Sequence, residues 1–189
     1  MTRELNATEQ DILLNIARQA LENAVRGELL PPINLSDLPP ALQQPGASFV
    51  TLTIAGNLRG CIGTLDPYQP LALDVQEHAV ASAIQDYRFP RVKPAELPHI
   101  QIEVSALTPR SRLEYHSPQD LVASLKPHVD GVILQDGLRK ATFLPQVWDK
   151  LPDPEDFLSH LCMKMGGQGD LWRKKKLDVF IYQVQEFQE

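Results

Sequence analysis

The stretch SFVTLTIAGNLRGCIGTL, residues 48–65, constrains the fold of this chain more than any other. Apolar Val50, Leu52 and Ile54 alternate with two threonines, and this period of two predicts a β-strand with one buried face. Ala55-Gly56-Asn57 follow, and a second apolar run comes after them. Glycine and asparagine between two such runs predict a tight turn, so we expect a β-hairpin.

The length of the turn decides which way the second strand faces. A two-residue loop would direct Arg59 into the core, whereas a three-residue loop pairs Ile54 with Leu58 and Val50 with Ile62. The three-residue loop is favoured because a shift of one residue inverts the two faces and an unpaired buried charge costs several kcal/mol. The residues then expected to be buried together are Leu52, Ile54, Leu58 and Ile62.

Arg59 and Cys61 would share the opposite face of the second strand, two residues apart. A guanidinium near a thiol favours the thiolate, which is the nucleophilic and metal-binding form. Gly60 and Gly63 would allow a ligand or another backbone segment to approach closely. A second interpretation is that Cys61 is a small apolar filler and that the glycines serve a β-bulge. The spacing alone leaves both interpretations open.

The chain, with this hairpin included, shows two successions of hairpin, helix and strand. Helices are predicted from Thr8 to Gly27, from Pro70 to about residue 85, from Ser117, and from Asp153 to Gly166. Strands are predicted at residues 99–107, in a hairpin around Asp136-Gly137, and at residues 177–187. This order predicts an α+β fold, a two-lobed single domain with mixed sheets and helices, and it suggests a duplicated hairpin-helix-strand unit.

Composition excludes several classes of function. A net charge of −6 argues against general nucleic-acid binding, which depends on neutralising phosphates. No run of about 18 apolar residues predicts a membrane span, and the N-terminal residues lack the pattern of a signal peptide. The two cysteines are 101 positions apart, which fits neither a disulfide framework nor a metal site. We therefore expect a cytoplasmic protein that contacts neither nucleic acid nor membrane.

Three further features bear on the choice of site residues. Cys162 lies on the apolar stripe of a predicted helix and is expected in the core. The basic run RKKK at residues 173–176 is expected to be a solvated turn. Asp86 and Arg88 in DYRFP form either a structural pair or a bidentate binder of a ligand carboxylate. Because the preceding helix is about 24 Å long, we expect this pair to fix its own loop, apart from Cys61.

LRGCIGTL, DYRFPRV, ELPHIQIEVSALTP and FLPQV together resemble the AMMECR domain family, whose microbial members are also called AmmeMemoRadiSam system protein A. The resemblance covers nearly the whole chain. It implies one domain over residues 1–189, with a larger lobe that holds both termini and a smaller lobe from the middle. The positions that match the family motif are Arg59, Gly60, Cys61, Gly63, Asp86, Arg88, Phe89, Pro90, Pro145 and Gln146. The system name implies two partners, a Memo-like protein, similar to metal-dependent dioxygenases, and a radical-SAM protein.

Two hypotheses about function follow. The first is an enzyme or enzyme component that acts on a small metabolite or a protein modification. In it Cys61 and Arg59 are catalytic, and Gly60, Gly63, Asp86, Arg88 and Gln146 contact the ligand. The second is a non-catalytic module whose LRGCIG surface docks a Memo-like or radical-SAM partner. An enzyme needs a concave polar pocket at Cys61, whereas a docking module needs an exposed patch. The sequence identifies neither a cofactor nor a substrate.

Overall fold

The structure is a computed structural model that describes residues 4–189. The chain divides into two compact units. The first unit consists of the residues up to Thr108 together with Gln185–Glu189. The second unit is Pro109–Val184. Within residues 4–189, no helix is both long and apolar enough to span a bilayer.

The helices and strands confirm an α+β fold. The helices are α1 (Ala7–Arg26), α2 (Pro40–Gln43), α3 (Leu71–Ile84), α4 (Pro118–Ser124), α5 (Pro154–Lys164) and α6 (Leu171–Lys174). The strands are β1 (Pro45–Ile54), β2 (Asn57–Gly63), β3 (Gln69–Pro70), β4 (Ile100–Leu107), β5 (Ser111–Arg112), β6 (Gly131–Asp136), β7 (Arg139–Phe143), β8 (Asp178–Tyr182) and β9 (Val184–Gln188). Short 3-10 helices lie at Leu35–Asp37, Pro94–His99 and Pro145–Asp149.

The first unit is built on a sheet with the strand order β2-β1-β4-β9. β1 is antiparallel to both β2 and β4, and β3 pairs with its first residues. The alternating apolar side chains predicted for β1 and β4 form one buried face, against which α1 and α3 pack. The core residues that these strands supply are Val50, Leu52, Ile100, Ile102, Val104 and Ala106. Burial of this face fixes the register of the strands.

The β1–β2 hairpin corrects part of the predicted register. The turn has two residues, Ala55 and Gly56, with φ of 49° and 77°, and Ile54 lies opposite Asn57. Positive φ at both positions is typical of a two-residue hairpin turn. The predicted three-residue loop and its Ile54–Leu58 pair are therefore wrong. Leu58 is 45% exposed rather than buried.

A β-bulge restores the remainder of the predicted register. Thr53 lies opposite Leu58 and Leu52 opposite Gly60, so Arg59 is the extra residue between them. A bulge absorbs one residue in one strand of a pair. Beyond it, Val50 lies opposite Ile62, as predicted. The bulge keeps Arg59 out of the core, whereas the sequence predicts the same result from a three-residue turn.

The second unit has its own sheet, in the order β5-β8-β6-β7, and its own core. The predicted Asp136-Gly137 hairpin is present as β6 and β7. Helix α5 begins at the predicted cap, where the Asp153 carboxylate accepts hydrogen bonds from two backbone amides. In the core, the rings of Trp148 and Phe157 stack with centroids 3.7 Å apart. Cys162 is fully buried, as predicted.

The two units repeat one pattern of strand pairing. In the first, the hairpin β1–β2 is followed by α3 and by β4, which pairs with β1. In the second, the hairpin β6–β7 is followed by α5 and by β8, which pairs with β6. The predicted single strand at 177–187 is instead interrupted at Gln183, with β8 in one sheet and β9 in the other. An apolar run does not record that the chain changes sheets, so this prediction was wrong.

Candidate functional site

Cys61 lies in the edge strand β2, and its backbone is bound from outside the sheet by two side chains. Its N–H donates to Asp86 Oδ2 at 2.9 Å, and its carbonyl oxygen accepts from Arg88 Nη2 at 2.8 Å. An edge strand normally leaves such groups free for another strand. Here a carboxylate and a guanidinium occupy the place of a neighbouring backbone. We call this set of contacts the Cys61 clamp.

The side chains of Asp86 and Arg88 also bind each other through two hydrogen bonds, and the Arg88 backbone amide donates a third to Asp86 Oδ1 at 3.1 Å. Arg88 Nε donates to Oδ1 at 2.9 Å and Nη2 donates to Oδ2 at 2.7 Å. The hydrogen bonds from the Arg88 side chain, assisted by the Cys61 amide, outweigh the effect of burial and hold the pKa of Asp86 well below its usual range. Asp86 in turn raises the pKa of Arg88. Both members of the clamp are therefore charged at neutral pH.

The mutual bond between Asp86 and Arg88 was predicted, but the predicted separation from Cys61 is wrong. The chain after Cys61 continues along β2 and reaches β3, which pairs with the start of β1. Helix α3 then returns along β2, so that the residues after its last turn meet Cys61. Nine residues, at about 3.3 Å each, were long enough to span the helix after all.

The sulfur of Cys61 lies on the sheet face opposite the helices, beside a hydroxyl. Thr51 Oγ1 donates to Cys61 Sγ at 3.4 Å. In the strand register Thr51 lies opposite Cys61 on one side and Glu103 on the other. A thiol, a hydroxyl and a carboxylate thus form a row across three strands, and Cβ atoms of such neighbours are about 4.5–5.5 Å apart. Cys61 is half-buried, whereas Cys162 is fully buried. Burial raises the pKa of the Cys162 thiol.

Arg59 makes an ion pair with a residue that the sequence analysis did not select. Its Nε and Nη2 donate to the two carboxylate oxygens of Glu96 at 2.8 and 3.1 Å. Hydrogen bonds from Arg59 lower the pKa of Glu96. The Arg59 Nη1 is buried and has no acceptor among residues 4–189. The guanidinium charge predicted to act on the thiol is therefore engaged by a carboxylate.

The two motif glycines permit close packing within the protein. A Cβ on Gly60 would lie 2.2 Å from the carbonyl oxygen of Ser82 in α3. A Cβ on Gly63 would lie 2.3 Å from the carbonyl oxygen of Ser48 and 2.4 Å from the ring of Phe49. The sequence predicts that these glycines allow a ligand or another backbone segment to approach. At Gly60 the structure shows the approach of another backbone segment, that of Ser82 in α3.

Ser82 is a further residue of this region that sequence reasoning missed. Its hydroxyl donates to the carbonyl of Val50 at 2.7 Å and accepts from the amide of Ile62 at 2.8 Å, so it links α3 to both strands of the hairpin. A small polar residue within the apolar stripe of a helix was the available signal. No comparable signal marked Glu96, because its contact with Arg59 joins residues 37 positions apart.

Gln146 belongs to the second unit, where it is exposed on the 3-10 helix Pro145–Asp149. The other six predicted site residues all belong to the first unit. Across residues 4–189, no three side chains of the types His, Cys, Asp and Glu are grouped so as to hold a metal ion. The structure thus brings together Cys61, Asp86 and Arg88.

Comparisons with known proteins cover nearly the whole chain. A protein of Methanothermobacter thermautotrophicus is 41% identical over 98% of this chain and 96% of its own, and one of Thermofilum pendens is 37% identical over 98% and 92%. The crystal structure of the uncharacterized protein PH0010 from Pyrococcus horikoshii superposes with a TM-score of 0.84 at 33% identity, over 98% of this chain and 93% of that one.

The sequence profile of one family spans both units. It is the AMMECR1 profile, and it matches residues 14–187. The match includes the hairpin, the Cys61 clamp and the final strands. This chain therefore belongs to the AMMECR1 family.

Proposed function

We propose that the chain is an enzyme or enzyme component whose reacting atom is the sulfur of Cys61. The observation that carries the proposal is the convergence of three side chains on one residue, with Asp86 on its amide, Arg88 on its carbonyl and Thr51 on its sulfur. A cysteine that only fills space needs none of these contacts. Orientation of a nucleophile by fixed hydrogen bonds is what covalent catalysis requires.

The proposed chemistry is addition of the Cys61 thiolate to a carbonyl carbon of a small metabolite or of a modified protein group. The C–S bond forms as the C=O π bond breaks, and its electron pair passes to the carbonyl oxygen, which then takes up a proton. A sulfur that accepts a hydrogen bond, as from Thr51, is in the arrangement that a thiolate favours. Glu103 adds a carboxylate on the far side of Thr51 for acid–base work. Arg59 is assigned a positioning role through Glu96 instead of the anion-holding role expected from the sequence, since two of its nitrogens are engaged.

Thiol labelling tests this proposal. We expect iodoacetamide to modify Cys61 faster than Cys162 near neutral pH in the native protein, as peptide mass spectrometry can measure. Thr51→Val removes the hydroxyl at the sulfur and should slow labelling of Cys61. Thr53→Val, two residues further along β1 on the same face, is the matched control and should leave the rate unchanged. Unchanged labelling in Thr51→Val, or equally slow labelling of both cysteines, would contradict the proposal.

A covalent intermediate gives the second test. Native protein incubated with a small-molecule extract of cells should gain mass on the peptide that contains Cys61. Cys61→Ser should abolish that gain, while Cys162→Ser should retain it. The ligand class would then follow from the added mass.

A second candidate function, docking of a Memo-like or radical-SAM protein, is favoured by one observation. Tyr87 is 94% exposed although its neighbours Asp86 and Arg88 are fixed by the Cys61 clamp. An exposed aromatic side chain on a rigid loop is a typical anchor of a protein interface. Capture of either purified partner by the native chain, lost in Tyr87→Ala but retained in Cys61→Ser, would favour docking over catalysis.

A further inference from the structure

The second unit contains a cavity of about 170 Å³ with a basic lining. Two aromatic residues, Tyr115 and Trp172, and the four cationic residues 173–176 are among the residues that line it. All of its lining residues lie in the described part of the chain, and none is acidic. The chain as a whole has a net charge of −6, so this is a local concentration of opposite sign.

The aromatic part of the wall is held rigidly by the core. The Tyr115 hydroxyl donates to the Leu177 carbonyl at 3.1 Å and accepts from the Leu177 amide at 2.8 Å. Trp172 Nε1 donates to Ser159 Oγ at 3.1 Å. Tyr115 and Trp172 are almost completely buried. The wall is therefore formed before any ligand arrives.

Three of the four cations already have partners outside the wall. Arg173, Lys174 and Lys175 pair with Glu155, Asp170 and Asp136, at N–O distances of 2.5, 2.6 and 2.6 Å respectively. All three cationic side chains are 44–60% exposed. Ion pairs this exposed are weak, whereas hydrogen bonds from a cation to a phosphate are among the strong ones. A multivalent anion can therefore compete for these cations.

Lys176 differs from the other three. Its ammonium lies 5.6 Å from the centroid of the Tyr115 ring, and it takes part in none of the ion pairs found between residues 4 and 189. An ammonium over an aromatic face is attracted to the ring, yet it keeps donors for an anion. Lys176 is thus the cation whose charge at the cavity is least compensated.

We propose that this cavity binds the phosphate group of a small phosphomonoester, with Lys176 as the principal cation. The cavity volume limits the size of the group that can bind, because pockets for whole drug-sized ligands measure about 300–1,000 Å³. A cavity of about 170 Å³ suits the charged group of a ligand better than a complete nucleotide. The proposal is independent of Cys61, which belongs to the first unit.

Calorimetric titration of the full chain tests this site, with inorganic phosphate and glycerol 3-phosphate as probes at constant ionic strength. Both should bind saturably, the ester at least as tightly as phosphate. Lys176→Met keeps the side-chain stem and should weaken binding by about tenfold, the loss of one charge-assisted hydrogen bond. Lys176→Arg should retain binding. Lys150→Met, an exposed lysine of the same unit outside the cavity wall, is the matched control and should bind like wild type.

Three results would overturn the proposal. The first is an equal weakening of phosphate binding by Lys176→Met and Lys150→Met, which would show that binding depends only on the net charge of the protein. The second is a heat that rises linearly without saturation for both probes. The third is saturable binding of inorganic phosphate alone, which would exclude the ester. Thermal unfolding of each variant without ligand shows whether it is folded.

Discussion

At the scale of single residues, the Cys61 clamp depends on one carboxylate, that of Asp86, which is held in almost complete exclusion from water. Asp86 has a side chain only 2% exposed, and it receives hydrogen bonds from Arg88 and from the Cys61 amide. A buried carboxylate is tolerated when it is paired and hydrogen-bonded. Removing its charge should therefore affect stability far more than the same change at the surface.

We expect Asp86→Asn to lower the free energy of unfolding at pH 7 by about 2–3 kcal/mol. Arg88 holds the pKa of Asp86 below its usual range in the folded state. The stability that this carboxylate contributes is therefore present above the pKa of an unfolded aspartate, about 4, and is lost as the pH falls towards the folded pKa. The difference between variant and wild type should shrink between pH 5 and the most acidic pH at which both still fold. Urea unfolding at several pH values measures it.

The exposed Asp11 of α1 gives the matched control for this measurement. Asp11→Asn should change the free energy of unfolding by no more than about 0.5 kcal/mol. A difference for Asp86→Asn that is equally small, or that grows as the pH falls, would contradict the assignment.

Gly60 offers a second test at the residue scale. We expect Gly60→Ala to lower the free energy of unfolding by about 1–3 kcal/mol, because the new Cβ would meet the Ser82 carbonyl and force α3 and β2 apart. Gly169→Ala is the control, since its Cβ would have only ordinary contacts, the nearest at 3.6 Å. Chemical denaturation compares the two. A Gly60→Ala protein as stable as Gly169→Ala would show that the packing is looser than described.

At the scale of elements, the edge strand β2 is completed by side chains instead of by another strand. The loop after α3 supplies Asp86 and Arg88 for the outward-facing amide and carbonyl of Cys61, whereas Ser82 in α3 joins the Ile62 amide to the Val50 carbonyl within the hairpin. Unpaired edges are templates for association with other chains. The clamp therefore closes an edge of the first sheet without adding a strand.

We expect Arg88→Met to loosen this edge while the rest of the sheet stays intact. Hydrogen exchange of a peptide that covers residues 58–64 should accelerate by about tenfold, the effect of losing one charge-assisted hydrogen bond. Arg26→Met removes an exposed i, i+4 pair in α1 and should leave that peptide unchanged. Equal exchange in both variants, measured by mass spectrometry, would rule out a role for Arg88 in holding β2.

The elements themselves could largely be predicted from the sequence, because their periodicity and caps are local. The apolar alternation of β4 and the Asp153 cap of α5 are examples. The bulge at Arg59 could not be predicted from the sequence. A two-residue turn followed by one extra residue gives the same strand pairing after the bulge as a three-residue turn does. The contacts of Glu96 and Ser82 depend on packing between distant segments, and residue spacing carries no record of them.

At the scale of the whole molecule, the chain encloses one unit between two segments of the other. The second unit has a complete sheet of four strands and a core with two buried tryptophans. A segment that is continuous in sequence and buries its own hydrophobic core can fold without the rest of the chain. The repeated pairing of hairpin, helix and strand in both units fits this view.

We therefore expect residues 109–184, expressed alone, to unfold cooperatively. The Trp148–Phe157 stack and the hydrophobic core around it lie entirely within this segment. Near-ultraviolet circular dichroism should show fixed tryptophan environments, and thermal unfolding should give one transition. Phe157→Ala in the same fragment should abolish that transition, since loss of a buried phenylalanine costs about 3–5 kcal/mol. A fragment without a transition would show that its core depends on the first unit.

The placement of the tryptophans has a consequence for spectroscopy. Trp148 and Trp172 are the only two in the sequence, and both lie in the core of the second unit. Fluorescence emission excited at the indole band therefore reports on the second unit. The Cys61 clamp contains no tryptophan and contributes nothing to this emission. An emission curve recorded during denaturation follows the half of the protein that holds the basic cavity, and ligands of Cys61 must be detected by other means.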